Sequence, residues 1–482
     1  MIVPSPRLLF WFTALVIPAV LIGTALPEAL PIVALLLLLA LVLAIIDAAA
    51  SLRVLRGIAI ELPETVRLSK DREVRFQMDI RNPRERARRL RIGLNFPETV
   101  SAEFGEQLVT LPAGQAASRI EWACTPRQRG RFTLERVYVE GPSLAGLWAM
   151  RVSLPVQCEL RVYPDLLTER RGMAAMFLHR GSLGIHAQRQ VGKGRDFEQL
   201  RDYVPGDGLD EISWKATARR GQPVTKVFQI ERTQEIYVIV DASRLSAREQ
   251  PRPGEELSPL ARSKKVVSLA VSEGERARVR GQPGNASFSG RPESITTLER
   301  YVTAALMLGL AAEQQGDLFG LITFTDQVKT FRRARNGRAH FDACRDELYT
   351  LQPQQVTPDF EELASFIRLR LRRRALLVFL TALDDPVLSE AFVKSMAVLC
   401  RQHLILVNML PPPGVEPVFT HGDVSSTDEI YDRLGAHFRW QKLRELEKVL
   451  HRRGVAFAQL DNEKLCPQLV TQYLSVKRRQ LL

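Results

Sequence analysis

Cysteine is scarce. The 482 residues hold five, Cys124, Cys158, Cys344, Cys400 and Cys466, and no Cys-x-x-Cys pair. Such spacing argues against a disulfide framework or a cysteine-built zinc site and fits reduced thiols. Histidine is sparse too, at seven. His179 and His186 flank the densest polar stretch but belong to no Ser-His or Cys-His nucleophile motif. A complete phosphate loop is missing. Gly192-Lys193-Gly194 lacks the Gly-x-x-x-x-Gly-Lys-(Ser/Thr) spacing and a preceding apolar strand. There is no internal repeat.

Acidic residues are outnumbered, 54 against 67 Lys and Arg, which leaves a net charge of +13. Such a balance favours acidic partners, either nucleic acid or an anionic membrane surface. Arginines cluster at Arg84, Arg86, Arg88, Arg89 and Arg91 (NPRERARRLR) with no aromatic residue between them. Base-stacking platforms are therefore absent there, which argues against nucleic acid. The stretch suits anionic headgroups or a solvated hairpin turn equally well.

Charge is lacking altogether in two long apolar runs, Leu8 to Leu26 and Ala29 to Ile46. Each is about long enough to cross a bilayer core, and only Pro27-Glu28 separates them. A cleaved signal peptide fits poorly, because a second apolar run follows at once. Arg7 precedes the pair, and Arg53 and Arg56 follow it. The positive-inside rule then puts both ends of a membrane hairpin, and the soluble mass after it, in the cytoplasm.

The hydrophobic pattern divides the rest. From about 57 to 165, short alternating runs such as VRFQMDIRN, LRIGLNF, SRIEWACTP, GRFTLERVYVEG and ELRVYP predict a small antiparallel β-sandwich. A polar connector occupies 166–235. From 236 to 482, apolar strands alternate with helices. Ile236–Val240, Leu318–Phe324, Ala375–Leu380, His403–Val407 and Val455–Leu460 read as strands, and the segments between them as helices. That order predicts a doubly wound, mostly parallel sheet. A Pro-, Gly- and Arg-rich span, about 247–294, interrupts it and reads as a mobile insertion. The expected fold class is thus α/β: residues 1–56 a two-helix membrane hairpin, then the sandwich, then the doubly wound domain.

Ligands of such sheets bind beyond the carboxyl ends of the strands. The loops there offer Asp241 and Ser243 after the first strand, Thr357 before the helix at Phe360, and Asp384 after ALLVFL. These are hard oxygen donors of the kind Mg²⁺ takes. The strand-Asp-x-Ser start followed by GDLFGLITF resembles a von Willebrand factor A-type domain. That resemblance implies a metal-ion-dependent adhesion site with Asp241, Ser243 and Thr357 as ligands. Two positions depart from it. Leu245 stands where the second Ser belongs, and Ala382 where the third Asp belongs, with Asp384 two places on.

A wider resemblance rests on the stretch between 192 and 219. Gly192, Gly194, Asp196, Phe197, Leu200, Arg201, Tyr203, Pro205, Gly206, Asp207, Ile212, Trp214, Thr217, Ala218 and Arg219 follow one pattern. It is similar to that of the bacterial domain-of-unknown-function family number fifty-eight. The resemblance implies a protein of the bacterial inner membrane without an agreed activity. It also implies partners, a MoxR-type AAA+ ATPase and other A-type domain proteins, and a role in protein assembly or maturation. The stretch itself reads as a polar clasp, with Arg201, Tyr203, Asp207, Trp214, Lys215 and Arg219 as its members. Ion pairing is the ordinary use of such charges. A hydrolase or transferase using Asp207 with Arg201 or Lys215 is the alternative.

Overall fold

The computed structural model of the chain describes residues 1–25, 30–52, 54–83, 85, 87–102, 105–179, 191–204, 208, 212–229, 234–250, 295–412, 415, 417 and 427–479. Asp207, most of the span 247–294, and the join between the two apolar runs lie outside them. The chain forms two compact units, Met1–Asp165 and Leu166–Leu482.

The first unit opens with β1 (Ile2–Pro4), α1 (Pro6–Ala25) and α2 (Leu30–Ser51). The two helices touch each other. Among the described residues one helix, Pro31–Ser51, is long and apolar enough to cross a membrane, and Pro6–Ile22 is a shorter apolar helix. Nine strands follow: β2 (Ala59–Glu61), β3 (Thr65–Ser69), β4 (Val74–Arg81), β5 (Arg88–Leu94), β6 (Val100–Ala102), β7 (Glu106–Leu111), β8 (Ala117–Pro126), β9 (Gly130–Pro142) and β10 (Trp148–Tyr163). One sheet runs β1-β10-β9-β5-β7 with β3 also on β10, and the other β2-β4-β8-β6.

Period-two alternation explains how they pack. Met78, Ile80 and Trp122 from one sheet meet Leu90, Ile92, Val139 and Leu160 from the other in a shared core. Between them, Gln77, Arg91 and Glu121 are polar and exposed. The arginine-rich stretch is partly satisfied within this unit. Arg88 donates to the Val54 carbonyl, and Arg91 lies 3.7 Å from Glu106.

The second unit begins with α3 (Leu166–His179), β11 (Val191–Asp202), α4 (Trp214–Arg220) and β12 (Val224–Gln229). It continues through β13 (Glu235–Asp241), a 3-10 turn (Arg244–Ala247), β14 (Glu249–Gln250), β15 (Ile295–Thr296) and α5 (Thr297–Gln314). Then come β16 (Leu318–Phe324), β17 (Val328–Arg335), α6 (Arg338–Leu348), α7 (Phe360–Arg370) and β18 (Leu376–Leu380). The last are α8 (Pro386–Leu399), β19 (Leu404–Met409), α9 (Thr427–Arg452), β20 (Val455–Gln459) and α10 (Leu465–Arg478).

The main sheet has the order β17-β16-β13-β18-β19-β20. All its neighbours pair in parallel except β17, which runs antiparallel on the edge. Runs such as IYVIV and LLVFL are apolar at every position because helices cover both faces. α5, α6 and α10 bury one face, and α7, α8 and α9 the other. The sheet is therefore doubly wound, as the alternation of strands and helices predicts. Gly320 is required by close approach. A Cβ there would lie 2.5 Å from the Tyr237 ring on the neighbouring strand.

Candidate functional site

β13 and β18 are neighbours, but the chain leaves them toward opposite faces. β13 leads to α5 and β18 to α8, and these pack on different sides of the sheet. In open α/β sheets such a divergence is where ligands bind, at the carboxyl ends of the two strands. Asp241 ends β13 beside it and is completely buried. Its Oδ1 accepts from the Ser243 amide at 2.8 Å, and its Oδ2 from the Thr381 hydroxyl at 2.6 Å. Burial pushes the Asp241 carboxyl above the usual range, and the Thr381 and Ser243 bonds oppose that shift. Among the described residues Asp241 has no ion-pair partner.

Around this carboxylate the loops are sewn together. The Tyr301 hydroxyl, on α5, donates to the Thr381 carbonyl at 3.2 Å and accepts from the Leu410 amide at 3.3 Å. The Arg244 amide donates to the Val356 carbonyl at 3.0 Å, and the Gln354 amide to the Ala242 carbonyl at 2.8 Å. Two ion pairs then cross from the β13 loop to the β18 loop, Arg248–Asp384 at 2.7 Å and Arg244–Asp385 at 3.6 Å. The backbone of Arg248 is fixed as well. Its carbonyl accepts from the Thr297 amide at 2.7 Å, just inside the short β14–β15 ladder.

The structure therefore gathers Asp241, Ser243, the loop of Thr357, and Asp384 at one end of the sheet. It assigns them different positions. Asp241 and Ser243 are buried, Asp384 is partly covered by Arg248, and Thr357 is exposed. Asp359 and Asp385 are helix N-caps, accepting from Glu361 and Glu362, and from Val387 and Leu388. Thr381, Tyr301 and Arg248 are central to this network but carry no sequence motif. The one usable signal is a hydroxyl residue directly after the ALLVFL strand.

The residues present do not fit a divalent ion. Both Asp241 oxygens already accept protein hydrogen bonds, and Asp384 is neutralised by a guanidinium. Leu245 and Ala382 are buried apolar residues where two further oxygens would be needed. Among the described residues no cluster of three His, Cys, Asp or Glu side chains could hold a metal. Thiol chemistry is equally unsupported. The five cysteines are free, and burial pushes the Cys124 and Cys158 thiols up to about 11 and Cys344 to about 12.

The signature stretch lies on the β11–β12 ribbon and α4. Several bonds among its described residues are internal. The Tyr203 amide donates to the Pro223 carbonyl, Ser213 to Val224, and Val224 to the Thr217 hydroxyl. Gly221 closes α4 in the left-handed conformation at φ 71°. Ile212 and Val224 are buried beneath. Trp214 is 70% exposed, so it does not anchor a clasp against a core, and Lys215 and Arg219 also face solvent. Arg201 donates to the Asp202 carbonyl at 3.4 Å. Asp207 lies outside the described residues.

Comparison with known proteins places these features in context. No curated protein matches the chain. Among solved structures, the conserved hypothetical protein BatB from Bacteroides thetaiotaomicron is 11% identical with a TM-score of 0.28, over 51% of this chain and 99% of that one. An aerotolerance-related membrane protein from Bacteroides fragilis is 12% identical with a TM-score of 0.26, over 50% of this chain and 98% of that one. The PapD-like domain 7 of human CEP192 is 11% identical with a TM-score of 0.16, over 22% of this chain and 86% of that one. The profile of the family described as "Protein of unknown function DUF58" matches residues 199–253 and 286–428, and that match supports this family for the end of β11, for α4 and β12, and for the central part of the doubly wound sheet.

Proposed function

We propose that the chain is a membrane-anchored protein-interaction module that docks its partner at the carboxyl-end rim of its doubly wound, von Willebrand factor A-like sheet. In this reading α1 and α2 both cross a bacterial inner membrane, and the soluble units are cytoplasmic. The partner is a MoxR-type AAA+ ATPase, and the chain is an adaptor in protein assembly or maturation.

The observation that carries the reading is a buried carboxylate that joins the β13 and β18 loops, with the loop of Thr357 bonded by its backbone to the β13 loop beside it. A charge without an ion-pair partner is costly to bury, and natural structures keep such costs mainly where they serve a site. Asp241 does not touch the partner. It joins the loops that carry Arg244 and Asp385, beside the exposed Thr357. Recognition is then by ordinary ion pairs and hydrogen bonds and needs no metal.

Affinity capture from gently solubilised membranes tests this. The native chain is compared with Arg244→Glu, which reverses one exposed charge, and with Leu108→Glu, a change on the other unit. Recovery of an AAA+ ATPase by the native chain and Leu108→Glu, and its loss with Arg244→Glu, is the expected result. Equal recovery by all three would move docking away from the rim. Washing with a chelator should leave recovery unchanged.

A further inference from the structure

The end of α2 carries an anomaly. Asp47 stands in the last turns of an otherwise apolar helix, yet it is 8% exposed. A bare carboxylate in such a helix is expensive. Here the turn before β10 satisfies it. The Ser143 hydroxyl donates to Asp47 Oδ2 at 2.6 Å, and the Ala145 amide to Oδ1 at 2.9 Å. The same turn reaches the helix twice more. The Leu144 amide donates to the Ser51 hydroxyl at 3.0 Å, and Trp148 Nε1 to the Ala44 carbonyl at 2.9 Å.

The start of α1 is held by this turn as well. Ser5 donates from its amide to the Leu147 carbonyl at 3.0 Å and from its hydroxyl to the Gly146 carbonyl at 2.8 Å. β1, just before α1, pairs with the first residues of β10. One end of each apolar helix is thus bonded to a single short turn. Large apolar side chains stand exposed on the turn and on α2, with one cation beside them. Leu144 is 73% exposed and Leu52 61%, Ile45 and Ile46 on α2 are each 57% exposed, and the exposed Arg7 lies beside Gly146 of the turn.

We propose that the turn from Ser143 to Trp148 is a lipid-contacting platform that seats the sandwich on the phospholipid headgroup layer. Asp47 is its receptor within the helix. Residues 44 to 51 span about two helical turns, roughly 11 Å, so bonds at Ala44, Asp47 and Ser51 fix the turn at the depth of the helix end. Leu144 then sits at the boundary between headgroups and acyl chains, with the half-buried Trp148 beside it, where amphipathic rings accumulate. This inference rests on the reading that α2 crosses a membrane.

The test uses the full chain in nanodiscs of phosphatidylcholine and phosphatidylglycerol, with Cys400→Ser as background, since the other four cysteines are buried. An environment-sensitive dye is placed on Leu144→Cys, on Leu108→Cys or on Leu36→Cys. Quenching is read from spin-labelled lipids whose nitroxide lies near the headgroup or at mid-chain. Leu108 is 78% exposed on β7, at the opposite edge of the sheet from β1. Four strand spacings, roughly 19 Å, separate those edges.

The expected result is quenching at 144 by the shallow nitroxide that exceeds quenching at 108 by about twofold or more, with 36 quenched by the deep one. Equal quenching at 144 and 108, with 36 still quenched, would overturn the platform while α2 remains a crossing helix. A label at 36 that no nitroxide reaches would overturn the crossing itself, and the platform with it.

Discussion

The two ends of the main sheet each bury an aspartate, and they treat it differently. At the amino ends of the strands, Asp317 is 1% exposed. It accepts from the Gln234 amide at 3.2 Å, from the Tyr473 hydroxyl at 2.5 Å and from Lys477 Nζ at 2.8 Å. An ammonium balances its charge, and the bonds tie α10 to the foot of the sheet. At the carboxyl ends, Asp241 is just as buried, yet its bonds come from hydroxyl and amide groups, with no ion-pair partner among the described residues. The first arrangement stabilises the fold. The second spends stability to hold the β13 and β18 loops in one geometry. The difference is the reason for proposing the carboxyl end, rather than the amino end, as the docking rim.

The sharpest way to break this contrast is at Asp317. Asp317→Ala leaves Lys477 and Tyr473 without their partner in a largely buried site, and it should cost about 3 kcal/mol or more, read as a shift in the denaturant midpoint. Asp241→Asn should do the reverse. Its folded pKa is raised by burial, so the stability it allows is full below the unfolded carboxyl value and falls as pH rises through the raised folded value. Removing the charge should raise stability at neutral pH by on the order of 1 kcal/mol and flatten that decline, measured by denaturation across pH. A similar gain from Asp317→Asn would erase the distinction between the two ends.

Smaller effects refine the picture. A double-mutant cycle on Arg248 and Asp384 should give a coupling of about 0.5 to 1 kcal/mol, because the pair is only partly exposed. Thr357→Ala, on an exposed loop, should shift stability by less than about 0.5 kcal/mol. Its effect, if the rim docks a partner, should be visible only in capture.

Much of this fold was legible because its strands are apolar at every position and short. Leu318–Phe324 was read to its ends, and Ile236–Val240 fell one residue short at each end. β17 escaped, because VKTFRRAR is charged and lacks a clean alternation. Only its pairing along the edge of β16 makes it a strand. At the site, Asp241 and Ser243 were visible as a strand ending in polar residues. Their burial was not, since it depends on loops more than 100 positions away, such as that of Thr381. Trp214 misled for the opposite reason. An aromatic residue reads as an anchor, yet here it stands at an exposed helix start.

The pairing of β1 with β10 bears on how the chain is made. Ile2 is matched with Met150, so β1 must wait for a partner synthesised much later. Contacts of such sequence separation form slowly. Meanwhile α1 and α2 have emerged and need shelter for their apolar faces. In the proposed reading, where these helices enter a membrane, insertion precedes completion of the sandwich, and closure of β1 onto β10 is the step that completes the first unit. A slowed or mispaired β10 should expose the unit to proteolysis before the second one is complete.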